Sequence, residues 1–240
     1  MRVDQWPRGG GAFLRYAFQG NALRVADRSC RWRKDVMFAE PVPLTATDID
    51  AAADVLVRSF AEDPGLLFVL PSLADRERLG PSLARAVIRY ALRCGAPLVT
   101  PGAVRGVALW FPPDAPPPTG DDLNETGLAT VPDLIGPAAW QRFERLLNHL
   151  DALHPQYAPA PHWYLAMLGV DPDWQRQGIG EYLMQPVFAA ADRDGLSCYL
   201  EAPTADNARF YARRGFRVIA ETDVPDSDVH VWLMRRDPMG

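Results

Sequence analysis

One stretch constrains this chain more than any other. From Trp163 to Val170 eight residues carry no charge and read as a strand. Asp171-Pro172-Asp173 then turns the chain. The run Gln175-Arg176-Gln177-Gly178-Ile179-Gly180 leads into a helical pattern marked by Tyr182, Leu183, Val187, Phe188 and Ala191. Two glycines two apart at a helix start let a ligand approach bare backbone. The helix N-terminus adds free N–H groups and the positive end of its dipole. Strand, glycine turn and helix together predict an anion site suited to a pyrophosphate. The competing reading is that Gly178 and Gly180 only let a helix pack closely on a strand. The motif is not a full GxGxxG, and no Walker A lysine follows it.

The rest of the chain is ordered around this segment. Val42–Leu44 reads as a short strand. Thr45 or Thr47 caps a helix through Ile49, Ala53, Leu56, Val57 and Phe60. Asp63-Pro64-Gly65 is expected to end it. A second helix is expected between Ala74 and Cys94, with Pro81 blurring its start. Pro97–Thr100 and Val104–Phe111 read as strands joined by Pro101-Gly102. Five prolines between 112 and 118 make a stiff linker. A helix over Ala138–Leu153 gives way to an expected proline-rich loop holding His154-Pro155, Pro159 and Pro161. Ser197–Ala202 is a strand, and Asn207–Arg214 is a helix ended by Gly215. Phe216–Glu221 and Val229–Arg235 form a final pair of strands.

Composition narrows the function classes. Of 240 residues, 48% are hydrophobic and 23% charged, enough to bury a core and too apolar for wholesale disorder. No run of about 18 apolar residues predicts a membrane span. Cys30, Cys94 and Cys198 are far apart and form neither a metal spacing nor a disulfide framework, so no metal and a reducing cytoplasm are expected. Residues 1–36 hold eight basic and three acidic residues, a net +5, which leaves −10 of the overall −5 on residues 37–240. The first 36 residues show no sustained period and are expected to be a disordered extension, with Met37 the natural start of a single domain over 37–240. An acidic domain suits a cationic amine and argues against nucleic acid as partner. Acidity that only aids solubility is the plainer alternative.

The segment Trp163–Gly180 resembles the acetyl-CoA signature of the GCN5-related N-acetyltransferase (GNAT) family, a strand followed by Pro and then Gln/Arg-x-x-Gly-x-Gly/Ala. Asn207-Ala208-Arg209-Phe210-Tyr211-x-x-x-Gly215-Phe216 resembles the second signature of the same family. The likeness spans about residues 40–236. It is most similar to the puromycin N-acetyltransferase-like branch, on Phe60-Ala61-x-Asp63-Pro64, Trp163-Tyr164-Leu165, Tyr199-Leu200-Glu201 and Trp232-x-Met234. The resemblance implies an α/β fold, a mixed and mostly antiparallel sheet of about seven strands, splayed in a V, with flanking helices. It implies acetyl-CoA as cosubstrate, with Leu168, Gly169 and Val170 beside the pantetheine arm. Gln175, Arg176, Gln177, Gly178, Ile179 and Gly180 would wrap the pyrophosphate, and Asn207 and Tyr211 would lie near the pantetheine and the sulfur.

Transfer of an acetyl group to an amine makes three demands. The amine must lose its proton: an ammonium of lysine-like pKa is only about 1 part in 2,500 neutral at pH 7, equivalent to roughly 4–5 kcal/mol. The thioester oxygen needs a donor as it gains charge. The departing thiolate needs a proton, which a phenol can give. Tyr211 suits the last role, with a packed core aromatic as the alternative. Glu201 is the leading base, with pairing to an arginine as the alternative. Asp63 and His162 are further candidates, His162 more readily a packed histidine. Asp63, Trp110 and Tyr164 are expected at the acceptor pocket, and Phe60, Phe68, Tyr90 and Phe111 are possible aromatic walls. Cys198 reads as a buried strand residue, so direct transfer through a ternary complex is expected. The expected partner is a small-molecule amine, with no nucleic acid and no membrane, on a monomer or homodimer. A peptide or protein amine as acceptor and a non-catalytic acyl-CoA-binding module are the rival readings.

Overall fold

The computed structural model describes residues 40–115, 117–158 and 161–239. The expectation for residues 1–36 lies outside them. Seven strands form one sheet in the order β1-β2-β3-β4-β5-β7-β6. They are β1 (Val42–Pro43), β2 (Leu98–Val99), β3 (Gly106–Phe111), β4 (His162–Val170), β5 (Ser197–Ala202), β6 (Arg217–Asp223) and β7 (His230–Arg236). Every neighbouring pair is antiparallel except β4 and β5. Eight helices flank the sheet among the described residues: α1 (Ile49–Ser59), α2 (Pro64–Val69), α3 (Leu73–Cys94), α4 (Gly120–Thr126), α5 (Val131–Ile135), α6 (Pro137–Tyr157), α7 (Ile179–Asp194) and α8 (Ala205–Ala212). No helix among these residues is long and apolar enough to cross a membrane.

The parallel pair is short. His162, Trp163 and Tyr164 pair with Ser197, Cys198 and Tyr199, and the pairing stops there. β4 continues to Val170 along β3, and β5 continues to Ala202 along β7. The two strands therefore part beyond Tyr164 and Tyr199, which opens the expected V. A bulge marks the parting. Leu109 faces Met167 and Trp110 faces Leu165, so Ala166 is the extra residue on β4. One extra residue shifts the parity of every side chain beyond it. Tyr164, Ala166 and Met167 thus share the face packed by α1–α6, while Leu165 and Leu168 join the face packed by α7 and α8.

Local chemistry explains the helices that meet the sheet. Thr45 and Asp48 close a capping box before α1, with Thr45 N and Oγ1 donating to Asp48 Oδ2 at 2.8 and 2.6 Å. The helix then lies directly on β4. A Cβ on Gly169 would stand 2.5 Å from Ser59 Oγ and 2.8 Å from Leu56 Cδ2, so only glycine fits that crossing. On the other face, Gly106 has the same role toward Ile179 and Leu183 of α7.

Two sequence expectations change and one holds. Asp63-Pro64-Gly65 does not merely end a helix; it starts α2. Asp63 Oδ1 accepts from Leu66 N at 3.0 Å, and Pro64 occupies the first helical position, where its missing N–H costs nothing. The helix expected from Ala74 to Cys94 is α3, which starts one residue earlier, after a Ser72 cap, with Pro81 inside it. Pro155 lies within α6, which runs on to Tyr157 instead of stopping near Leu153. In α6, burial of Leu146, Leu147, Leu150 and His154 outweighs the lost backbone bond.

Candidate active site

A half-open cavity sits where β4 and β5 part, on the α1–α6 side. Its walls are Asp63 and Gly65 at the start of α2, Leu146 and Leu150 of α6, and Tyr164 and Ala166 of β4. Glu201 and Pro203 at the end of β5 and Val229 and Val231 leading into β7 complete it. Most of the lining is apolar, and two carboxylates face into it.

Those carboxylates differ in their surroundings. Asp63 is 1% exposed. Its Oδ1 caps α2, and its Oδ2 is buried with no partner among the described residues. Burial raises its pKa to about 7, against the pull of the Leu66 and Gly65 N–H groups. Glu201 is also buried, but Tyr164 Oη donates to its Oε2 at 2.9 Å. Its Oε1 lies 3.8 Å from His154 Nδ1. His154 Nε2 in turn lies 2.8 Å from His162 Nε2.

The loop after β4 has the features of an anion cradle. Arg176 has a φ of +61°, rare for a residue with a side chain, and Gly178 has a φ of +82°. Gly178 is the N-cap of the 16-residue α7, and it contributes no side-chain cap to the first turn. Arg58 of α1 holds this loop from below, at 2.6 Å from Asp171 and 2.8 Å from Asp173. Arg105 stacks on Trp174 at 3.6 Å. Gln175 Nε2 donates to Val170 O at 3.1 Å, bracing the end of β4. Gly180 is enclosed: a Cβ there would stand 3.1 Å from the Phe210 ring. The packing reading therefore describes Gly180, while Gly178 and Arg176 shape the exposed loop.

Among the described residues, the β5-facing edge of Leu168–Val170 has no strand beside it. A ligand lying in the V meets that edge first and the Arg176–Gly178 loop next. Such a run of contacts suits an extended ligand that carries a phosphate group.

Residues 143–218 match the family model described as acetyltransferase (GNAT) domain. That stretch of the chain is similar to a GNAT acetyltransferase domain. A solved structure from Corynebacterium glutamicum, described as histone acetyltransferase HPA2 and related acetyltransferase, is similar with a TM-score of 0.62. It is 26% identical, over 84% of this chain and 97% of that one. An uncharacterized N-acetyltransferase of Schizosaccharomyces pombe is 25% identical over 71% of each chain. Arylalkylamine N-acetyltransferase 2 of Aedes aegypti shares the fold, with a TM-score of 0.53 and 16% identity over 82% of this chain and 98% of that one.

The structure sorts the expected site residues. Asp63, Tyr164 and Glu201 come together at the cavity. Gln175, Arg176, Gln177 and Gly178 lie in the loop before α7, with Ile179 and Gly180 in its first turn. Leu168 faces α7, Gly169 faces α1 and Val170 ends β4. Asn207 is 1% exposed in the first turn of α8, its N–H donating to Thr204 Oγ1 at 3.1 Å.

Tyr211 is buried beside Phe210 and Phe216, with ring centroids 5.1 and 5.7 Å away. Burial pushes its phenol pKa up, so it stays protonated at any working pH. It belongs to the α7–α8 layer and does not line the cavity, whereas Glu201 lies on the opposite face of the sheet.

Trp110 is corrected. It is fully enclosed under α7, edge-on to Trp163 and Phe188, and does not line the cavity. Its position on β3 alternates it to the α7 face. Phe60, Phe68, Tyr90 and Phe111 are likewise core, not pocket walls. Cys198 is buried with its thiol pushed up to about 12, which leaves no thiolate nucleophile there.

His154 is the residue that sequence reading missed. The signal was present: Leu147, Leu150 and His154 continue one helical stripe, and only the proline after His154 argued for a loop.

Proposed function

We propose that the protein transfers an acetyl group from acetyl-CoA directly to the amine of a small molecule that arrives as a cation. The observation that carries this is the apolar cavity at the parted strands with two buried carboxylates, one having a partnerless oxygen. Apolar walls with one or two fixed charges suit a small ammonium-bearing compound more than a nucleic acid or a membrane surface.

Acetyl-CoA supplies the activated acetyl thioester. The residues that would hold it are the free edge of Leu168–Val170, the Gln175–Gly180 turn and Asn207. Asp63 balances the charge of the entering ammonium, and an ammonium beside Oδ2 lowers its pKa from about 7 back toward ionisation. Glu201, held by Tyr164, takes the amine's proton. Tyr211 gives a proton to the departing sulfur. Within the family we place the chain in the puromycin N-acetyltransferase-like branch, so aminonucleoside-like amines head the substrate panel. The same chemistry serves as either monomer or homodimer.

The test is thiol release from acetyl-CoA with a panel of alkyl amines, aryl amines and aminonucleosides, beside calorimetric binding of acetyl-CoA. Amine-dependent thiol release with acetyl-CoA bound is the expected result. Binding without turnover of any amine would leave a non-catalytic acyl-CoA module. Turnover of peptide amines alone would move the acceptor to proteins.

A further inference from the structure

The buried histidine pair next to Glu201 has no assigned part in this chemistry. Building on the acetyl-transfer reading, we propose that His154 and His162 form a proton relay that carries the amine's proton from Glu201 to the end of β4.

The geometry is a chain of three groups. Glu201 Oε1 is 3.8 Å from His154 Nδ1, and His154 Nε2 is 2.8 Å from His162 Nε2. The first gap is about 1 Å longer than a hydrogen bond, and catalytic contacts are commonly long before substrate binds. The second contact holds one proton between two ring nitrogens, since one must donate and the other accept. His162 is itself buried, but it is the first residue of β4 and follows the exposed Pro161, so the relay runs toward that end of the sheet.

Neither ring lines the cavity, but His154 packs on Tyr164 and lies beside Glu201, and both of those do. His154 is 4% exposed and sits against the rings of Tyr199, Tyr164 and His162 at 4.6, 5.0 and 5.0 Å. The titratable groups facing the pair are therefore Tyr164 of β4 and Tyr199 and Glu201 of β5, with Asp151 one turn earlier on α6. An isolated imidazolium in such surroundings is costly. Two rings that share the charge beside a carboxylate lower that cost.

The protons balance. An ammonium and acetyl-CoA yield the amide, free thiol and one proton. Of the two N–H bonds broken, one proton makes good the proton that Tyr211 gives to sulfur. The other goes to Glu201, then to His154 Nδ1, while His154 Nε2 passes its proton to His162 Nε2 and His162 Nδ1 releases one outward. An amine that arrives neutral has no surplus proton to export.

The experiment uses that difference. Purified full-length wild type, His154→Gln and His162→Gln are assayed with acetyl-CoA and two acceptors, an alkyl ammonium and a weakly basic aryl amine that is neutral at pH 7. A loss in kcat at least tenfold larger for the alkyl ammonium than for the aryl amine, and shrinking as pH rises, is the expected result. Equal losses for both, or none, overturn the relay while leaving acetyl transfer standing. A wild type that acetylates neither amine overturns the acetyl-transfer reading and the relay with it. Should a variant fail to fold, long-range 1H–15N spectra of the wild type decide. His154 and His162 are expected to titrate as a coupled pair between pH 5 and 9. Two rings locked in single tautomers across that range, while turnover continues, exclude the relay.

Discussion

Asp63, at the cavity wall, caps a helix with one oxygen, and its other oxygen is buried with no partner among the described residues. Its ordinary pKa of 3.8 rises to about 7 in the fold. Between those values the folded state holds a proton that the unfolded chain has released. Stability therefore falls as pH climbs through that window and is lowest above 7. Asn in its place keeps the cap and removes the penalty. Asp63→Asn is expected to be more stable than wild type by about 2–4 kcal/mol at pH 8, with the gap closing near pH 4, in urea unfolding at both pH values. The same variant is expected to raise KM for an ammonium acceptor. Glu201→Gln keeps the shape and the Tyr164 contact but cannot take a proton. It is expected to lower kcat by about 100-fold or more with acetyl-CoA affinity within twofold, read by steady-state kinetics and calorimetry. Tyr211→Phe is expected to lower kcat far more than cofactor affinity; an unchanged kcat would return Tyr211 to a purely packing role.

At the scale of elements, the loop before α7 can be separated from the packing beneath it. Gly178 and Gly127 both have a φ of +82°. Alanine at either is expected to cost about 1–2 kcal/mol from the left-handed backbone alone. Only Gly178→Ala is expected to weaken acetyl-CoA binding as well, because Gly127 lies in a distant turn between α4 and the next helical turn. Gly180 is a poorer probe, since any side chain there presses on Phe210 before it meets a ligand. The α1–β4 crossing is the reverse case. Gly169→Ala is expected to cost about 1–3 kcal/mol through overpacking against Ser59 and Leu56, measured as a fall in the urea midpoint. The elements themselves were largely legible from periodicity, with β5 placed at its observed ends and β4 and α7 close to theirs. What escaped were α4 and α5, short helices between prolines, and the role of Asp-Pro-Gly, whose turn and capping readings are identical in composition.

The whole molecule adds a field that no single residue shows. Residues 37–240 carry a net charge of −10, and a cationic acceptor is drawn toward such a surface. The KM for an ammonium acceptor is expected to rise several-fold between low salt and 0.5 M salt as screening shortens that attraction; a neutral aryl amine serves as the control that salt should not move. The amino-acid order alone determined the strand–turn–helix around Gly178, the strands that make the sheet, and the candidacy of Glu201, Asp63 and Tyr164, because periodicity, turn chemistry and signature spacing are local properties. The parting of β4 from β5, the parity shift at Ala166 and the exclusion of Trp110 from the cavity were decided by pairing between distant segments. So was the meeting of His154, His162 and Glu201. His154 leaves a helix, His162 opens the next strand and Glu201 closes another, and only packing α6 onto the sheet brings the three side chains within reach of one another.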